Sequence, residues 1–122
     1  MVINKRIIII EDQILIALDL EFLFRNNGYK DVSSFSSGKK AIENIKTKKP
    51  DLALLDIRLQ DDVSGITVAE SLKELDVPFI FVSAFSDHNN YVKAVKLNPA
   101  KIFYKPFDPK DLLNAAEEIL NV

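Results

Sequence analysis

Apolar residues in this chain of 122 residues occur in short unbroken runs that are separated by stretches of helical spacing. The runs at residues 7–10, 52–55 and 79–82 lack polar alternation, which is typical of strands that are covered on both faces. Two shorter segments, residues 31–35 and 102–104, carry more polar side chains, as expected of strands nearer to a sheet edge. The pattern therefore predicts five strands.

Helical spacing predicts one helix after each strand. Ile14, Leu18 and Phe22 recur at intervals of four and indicate a first helix that ends at Asn27-Gly28. We expect Phe22, like Phe24 and Phe35, to pack in the core. The later helices are indicated by Ala41, Ile42 and Ile45, by Val68, Leu72 and Leu75, by Val92 and Val95, and by Leu112, Ala116 and Leu120.

Two of the predicted helix starts carry capping residues. Ser64 can cap the third helix, and Asp108 followed by Pro109 is a typical start for the fifth. Strands and helices thus alternate five times, which predicts an α/β fold with a parallel sheet, right-handed crossovers and helices on both faces. Ligands of such sheets bind at the carboxyl ends of the strands, so we expect the function there.

Composition excludes several classes of function. Sixteen basic and 18 acidic residues give a formal net charge of -2, too little positive charge for nucleic acid to be an expected direct ligand. The chain has no Cys and one His, which excludes disulfides, a thiolate nucleophile and a multi-His metal site. No apolar run approaches the roughly 18 residues of a membrane span, and no signal peptide is recognisable, so we predict a cytoplasmic location.

Polar side chains follow four of the predicted strands: Glu11 and Asp12, Asp56, Ser83, and Lys105. Carboxylates that gather at neighbouring strand ends repel one another unless a cation joins them, which indicates a hard divalent ion. Mg²⁺ suits such a site because it takes carboxylate oxygens and leaves positions for phosphate oxygens. With Lys105 and Ser83 opposite, the space fits a phosphoryl group, and Asp56 can act as its nucleophile. The product would be an aspartyl phosphate.

These residues resemble the receiver domain of two-component response regulators, and the resemblance covers nearly the whole chain. The motifs of that family are matched, in order, by Glu11-Asp12, by Asp56 within residues 54–59, by Ser83-Ala84 and by Lys105-Pro106-Phe107. The resemblance implies a flavodoxin-like, doubly wound sheet of five parallel strands in the order 2-1-3-4-5. It also implies that residues 1–122 form one receiver domain and contain no output domain.

The resemblance further implies that Asp56 accepts a phosphoryl group from a phosphohistidine. The donor would be a sensor histidine kinase or a histidine phosphotransfer protein. Mg²⁺ would be bound by Asp12, Asp56 and the backbone carbonyl of Arg58, while Glu11 holds a metal-bound water or ligates directly. The expected output is signalling, with self-dephosphorylation as the sole turnover, in a protein without direct contacts to nucleic acid or membrane.

In the family, the phosphoryl group draws in a serine and a lysine, here Ser83 and Lys105. The resulting movement would alter the surface of the fourth helix, fifth strand and fifth helix for an unidentified partner, an output domain or a second copy in a homodimer. The same resemblance implies a cis bond between Lys105 and Pro106.

Some positions depart from the pattern of the family. Many receivers carry an aromatic switch residue three positions before the lysine, where this chain has Ile102. Tyr104 lies on the same strand face by alternation, and the sequence leaves open whether it substitutes or whether Ile102 fills the space. Arg58 and Phe85 occupy two positions that commonly flank the phosphoryl group, so we expect them to tune its lifetime.

Three other functions are compatible with parts of this pattern. A magnesium-dependent aspartyl phosphatase of the haloacid-dehalogenase type would need an Asp-x-Asp pair after the first strand and a cap or a longer chain. A flavodoxin-like cofactor binder would place Gly, Ser or Thr where this chain has Glu11 and Asp12. A receiver-like interaction module that is never phosphorylated usually lacks the aspartate or the lysine, and both are present here.

Overall fold

The computed structural model describes residues 2–59, 63–84 and 88–122. No helix in these ranges is long and apolar enough to cross a bilayer. Strands and helices alternate as β1 Ile3–Ile10, α1 Ile14–Arg25, β2 Tyr29–Phe35, α2 Gly38–Thr47, β3 Leu52–Leu55, α3 Gly65–Glu74, β4 Phe79–Ala84, α4 His88–Lys96, β5 Lys101–Lys105 and α5 Pro109–Leu120. The strands form a parallel sheet in the order β2-β1-β3-β4-β5, which confirms the predicted fold.

Alternation along the strands divides the core into two layers. Ile7 and Ile9 of β1 pack with residues of α1 and α5, whereas Ile8 and Ile10 pack with residues of α2, α3 and α4. All four side chains are fully buried. This explains why β1 reads as a continuous apolar run, since a strand covered on both faces has no solvent-facing position.

The first helix turns a different face to the core than its spacing suggested. Its buried residues are Ala17, Leu20 and Phe24. Phe22 is 58% exposed and Leu18 is 42% exposed, so the prediction of a core position for Phe22 is wrong. The helix carries apolar residues at helical spacing on two sides, and periodicity alone does not say which side meets the sheet.

The ends of the elements follow local chemistry. The Ser64 side chain accepts a hydrogen bond from the backbone N–H of Thr67, and Asp108 caps α5 in the same way, as predicted. Strand β1 starts at Ile3, earlier than predicted, because that residue pairs with the start of β2. Helix α1 ends at Arg25, and Gly28, with φ 98°, adopts a left-handed conformation before β2.

Arg6 joins three elements at the amino ends of the strands. Its backbone N–H donates to Asp51 Oδ2 at 2.7 Å. Its guanidinium donates to the Lys48 carbonyl at 3.0 Å and to Asn44 Oδ1 at 2.7 Å. Its Nε atom lies 3.9 Å from Asp31 Oδ1. A buried arginine therefore ties β1 to the end of α2 and the start of β3, at the edge of the sheet opposite the strand carboxyl ends.

Candidate functional site

Three strand ends bring Glu11, Asp56 and Lys105 together on one side of the sheet. They come two positions after Ile9, Leu54 and Phe103, respectively, and these three residues belong to the core layer formed with α1 and α5. Because side chains alternate along a strand, all three project towards that layer. Lys105 Nζ donates to Glu11 Oε1 at 2.8 Å and to Asp56 Oδ2 at 3.0 Å. The peptide bond from Lys105 to Pro106 is cis.

Backbone amides hold the second oxygen of each bridged carboxylate. Asp56 Oδ1 accepts a hydrogen bond from the backbone N–H of Arg58 at 3.1 Å. Glu11 Oε2 accepts one from the backbone N–H of Gln13 at 3.2 Å. Each carboxylate is thus oriented from two sides, by Lys105 and by a backbone donor two residues further along the chain.

The charges of this cluster lie in a mostly dry environment, with Glu11 4% and Asp56 8% exposed. Burial raises the pKa of Glu11; the charge of Asp56 adds to this, although hydrogen bonding to Lys105 opposes it. Burial lowers the pKa of Lys105, but hydrogen bonds and charge attraction from Glu11 and Asp56 outweigh this and leave it raised. Lys105 is therefore a cation at neutral pH that donates hydrogen bonds to both carboxylates.

A third carboxylate completes an acidic cluster at this edge. Glu11, Asp12 and Asp56 each offer an oxygen, and these atoms lie within 4.8 Å of one another. Oxygen ligands of this kind suit a hard divalent cation such as Mg²⁺. The residues therefore fit the metal that the sequence predicted, and an ion would offset the charge that Lys105 alone leaves uncompensated.

Ser83 lies at the same edge but on the other side of the sheet. It is 1% exposed, and its neighbour Ala84 is in register with Lys105. By alternation its side chain belongs with Phe81 in the layer of α2, α3 and α4. Within the described residues, Ser83 therefore lies outside the hydrogen-bonded cluster of Lys105, Glu11 and Asp56. Phe85, one of the two predicted flanking residues, lies outside the described residues.

The two candidates for an aromatic switch position have different surroundings. Ile102 packs against the core layer of α2, α3 and α4. The ring of Tyr104 lies 6.1 Å from that of Tyr91 in α4, tilted by 35°. Burial, together with the hydrogen bond to Tyr91, raises the pKa of Tyr104. Ile102 thus fills space beneath α4, and Tyr104 connects the end of β5 to that helix.

Gly65 is a site residue that sequence reasoning missed. A Cβ atom at this position would collide with the carbonyl oxygen of Asp56 and would lie 2.8 Å from the Cα of Ile57. The backbone N–H of Gly65 also donates to the Ile57 carbonyl at 2.9 Å. The first residue of α3 is therefore packed directly on the backbone of Asp56. The available signal was a glycine immediately after the cap Ser64.

Comparison with known proteins agrees with this geometry. Residues 7–117 match the family model for the response regulator receiver domain. The chain belongs to this family. Receiver domains accept phosphoryl groups, generally bind Mg²⁺, and interact with histidine kinases or phosphotransferases and with output domains; they are signalling domains rather than conventional enzymes.

The receiver domain is similar to parts of longer regulators and to whole short ones. It is 31% identical to the transcriptional regulatory protein PdtaR of Mycobacterium tuberculosis, over 93% of this chain and 55% of the relative. This chain therefore spans about half the length of that protein. It is 27% identical to the chemotaxis protein CheY of Bacillus subtilis, over 95% of this chain and 98% of the relative.

A solved structure has the same fold as this receiver domain. The signal receiver domain of the modulated diguanylate cyclase from Desulfovibrio desulfuricans G20 superimposes with a TM-score of 0.89. The two chains are 27% identical, and the match covers 96% of this chain and 94% of that one. The two chains thus share the same overall fold.

Proposed function

We propose that Asp56 of this receiver domain accepts a phosphoryl group from a phosphohistidine of a sensor histidine kinase or a histidine phosphotransfer protein. The observation that carries this proposal is the fixed carboxylate of Asp56, held by Lys105 at 3.0 Å beside two further carboxylates at the strand ends. A nucleophile in that position needs orientation and nearby positive charge, because phosphoryl transfer depends mainly on positioning and electrostatics.

In the proposed reaction, an oxygen of Asp56 attacks the phosphorus atom of the donor. The bond between phosphorus and the imidazole nitrogen breaks, its electron pair stays on the nitrogen, and an aspartyl phosphate forms. Lys105 supplies a positive charge beside the incoming phosphoryl oxygens. Asp12, Asp56, Glu11 and the backbone carbonyl of Arg58 would hold Mg²⁺, which supplies charge neutralisation for those oxygens when it is bound.

A groove beside Lys105 supports docking of the donor protein. A cavity of about 330 Å³ separates α1 from the connection between β5 and α5. It is lined by Ile16, Asp19, Leu20, Leu23, Lys105, Pro106, Phe107 and Pro109. We infer that apolar side chains of a donor helix dock in this cavity, which would bring a histidine on that helix near to Asp56.

The output of the switch would be a change in the surface of α4, β5 and α5. The phosphoryl group adds negative charge between Lys105 and Ser83, and contacts to both would draw the ends of β4 and β5 towards Asp56. Tyr91 follows through its ring contact with Tyr104. Exposed Val92 and Val95 support a role of this helix as a surface for an output domain, another protein or a second copy.

Intact-mass spectrometry after incubation with acetyl phosphate tests the proposal. With Mg²⁺, we expect one phosphoryl adduct on the wild-type chain and none on Asp56→Asn. Asp76→Asn is the matched control and should be modified like wild type, since Asp76 is exposed and its φ of 57° suits Asn. Uptake by Asp56→Asn at the wild-type rate would contradict the proposal.

The remaining alternatives give different results in the same experiment. A wild-type chain that binds Mg²⁺ by calorimetry and forms no adduct would favour an interaction module that works without phosphorylation. Continuous release of phosphate from small phosphate esters, far beyond one equivalent, would favour an aspartyl phosphatase.

A further inference from the structure

A cavity of about 310 Å³, here called the amino-end cavity, lies at the amino ends of β1 and β2. Along β1, about 17 Å separate Arg6 at this cavity from Glu11 in the acidic cluster. Two acidic residues, Asp31 and Asp51, line the cavity together with five basic ones, namely Lys5, Arg6, Lys30, Lys48 and Lys49. Five cations and two carboxylates give a formal charge of +3, in a chain whose net charge is -2. Positive charge is therefore concentrated at this cavity.

Both carboxylates of the amino-end cavity already have donors. Asp51 Oδ2 accepts a hydrogen bond from the backbone N–H of Arg6 at 2.7 Å. Asp31 Oδ2 accepts one from Lys48 Nζ at 3.4 Å. In the part of the chain that the structure describes, three lysines of this cavity have no ion pair, namely Lys5, Lys30 and Lys49. Their charges are available to an anion from outside the protein.

Arg6 is a buried cation whose guanidinium has no carboxylate at hydrogen-bond distance among the described residues. Its side chain is 9% exposed, and it donates to two neutral acceptors, the Lys48 carbonyl and Asn44 Oδ1. Its Nε atom is buried without a hydrogen-bond partner and lies 3.9 Å from Asp31 Oδ1. Buried charges normally need compensation, so an anion in the adjoining cavity would supply negative charge that the described residues do not.

The lysines of this cavity come from three segments that are fixed against one another. The register between β1 and β2 shifts just before Arg6, at an irregularity that includes Lys5. The segment that contains Lys49 is held to β1, because Arg6 and Asp51 exchange hydrogen bonds, and the Asp51 N–H donates to the Arg6 carbonyl at 2.9 Å. The dipole of α2 accounts for lysines at its end, but Lys5 and Lys30 are strand residues. The cavity thus needs little rearrangement to bind a ligand.

We propose that the amino-end cavity binds the diphosphate group of a small anionic ligand. One phosphate group carries about 1.5 to 2 negative charges at pH 7, so two linked groups are needed to match the formal charge of +3. Lysine ammonium groups bind phosphate oxygens as point charges. A volume of about 310 Å³ is near the lower limit for ligand pockets, which favours a compact group. This site shares no residue with the acidic cluster, so it is independent of phosphoryl transfer to Asp56.

Calorimetric titration with pyrophosphate, at constant ionic strength and without Mg²⁺, tests the proposal. We expect saturable binding of one pyrophosphate per chain. The double variant Lys30→Gln/Lys49→Gln should weaken this binding about tenfold or more, because it removes two charge-assisted contacts. Lys46→Gln/Lys73→Gln is the matched control: it removes the same charge at exposed positions outside the cavity and should bind like wild type. All four lysines are exposed, so circular dichroism should show that both variants fold.

Three results would overturn the proposal. Equal weakening in both double variants would show attraction by net charge alone, and no saturable binding at millimolar pyrophosphate would exclude the site. Inorganic phosphate that binds as tightly as pyrophosphate would contradict a site for two linked phosphates. Titration with ADP distinguishes the sources of the group, and either ranking supports the proposal. Tighter binding of ADP than of pyrophosphate would indicate the diphosphate of a nucleotide, and weaker binding would indicate a free diphosphate.

Discussion

At the level of single residues, the hydroxyl of Tyr29 is buried without compensation. Tyr29 is 1% exposed, and its ring lies edge-on to Phe24 with centroids 5.2 Å apart. Its hydroxyl has no hydrogen-bond partner within the described part of the chain. Burial, followed by the charge of Glu117, raises the pKa of Tyr29 above 10.0. The aromatic ring therefore stabilises the core while the hydroxyl opposes folding.

We predict that Tyr29→Phe raises the free energy of unfolding by about 1 kcal/mol at pH 7, because it removes an unsatisfied buried donor. Urea unfolding measures this directly. Above pH 10 the unfolded phenol loses its proton before the folded one, so wild-type stability falls as pH rises and the advantage of Tyr29→Phe grows. Lower stability of the variant at pH 7, with parallel pH profiles, would refute this account.

At the level of secondary-structure elements, Arg6 supports the scaffold away from the site. Arg6→Leu should lower the free energy of unfolding by about 2 kcal/mol, since it leaves the α2 carbonyl end and Asn44 without their donor. The control Lys5→Leu, at the neighbouring half-buried position, should lower the free energy of unfolding by much less. Phosphoryl uptake by the folded Arg6→Leu chain should match wild type, and a large loss of uptake would show that Arg6 also acts on the site.

The start of α3 controls the placement of Asp56. Gly65→Ala puts a methyl group against the Asp56 carbonyl, so α3 or the carboxylate must shift. We expect a stability loss of about 1–3 kcal/mol and phosphoryl uptake that is slower by roughly ten- to a hundredfold. Ser64→Ala is the control: it removes the cap of the same helix, costs about 1 kcal/mol, and should leave uptake near wild type. Equal uptake by both variants would disprove this positioning role.

At the scale of the whole molecule, the two sides of the sheet contribute different residues to the proposed switch. The side of α1 and α5 contains the bridged carboxylates, while the side of α2, α3 and α4 contains Ser83 and Tyr104. A phosphoryl group on Asp56 lies at their common edge, and its contacts with both sides would link chemistry on one layer to movement of α4 on the other.

Ser83→Ala should therefore separate modification from response. We expect this variant to take up a phosphoryl group but to show a weaker change in hydrogen exchange across α4 and β5 than wild type. Ser36→Ala, an exposed serine at the same edge of the sheet, is the control and should respond fully. A full response in Ser83→Ala would mean that Lys105 alone transmits the signal.

Much of the architecture follows from local patterns in the chain. A central parallel strand is covered on both faces, so its apolar run is continuous. The strands β1, β3 and β4 could therefore be predicted from the sequence. The caps Ser64 and Asp108 act within a few residues and were equally readable. The acidic cluster was predictable too, because carboxyl ends of parallel strands share one edge.

Other features depend on contacts between distant residues. The core face of α1 is chosen by the surface beneath it, so spacing could not decide between Phe22 and Phe24. Lys105 bridges to Glu11 across 94 positions of sequence, and the contact of Gly65 with Asp56 depends on how α3 returns to the sheet. The residue types and their order along the chain thus predicted the fold and the gathering of acidic residues at one edge of the sheet. Strand register and helix packing decided which side each group occupies, because these are set by burial between segments that are far apart in sequence.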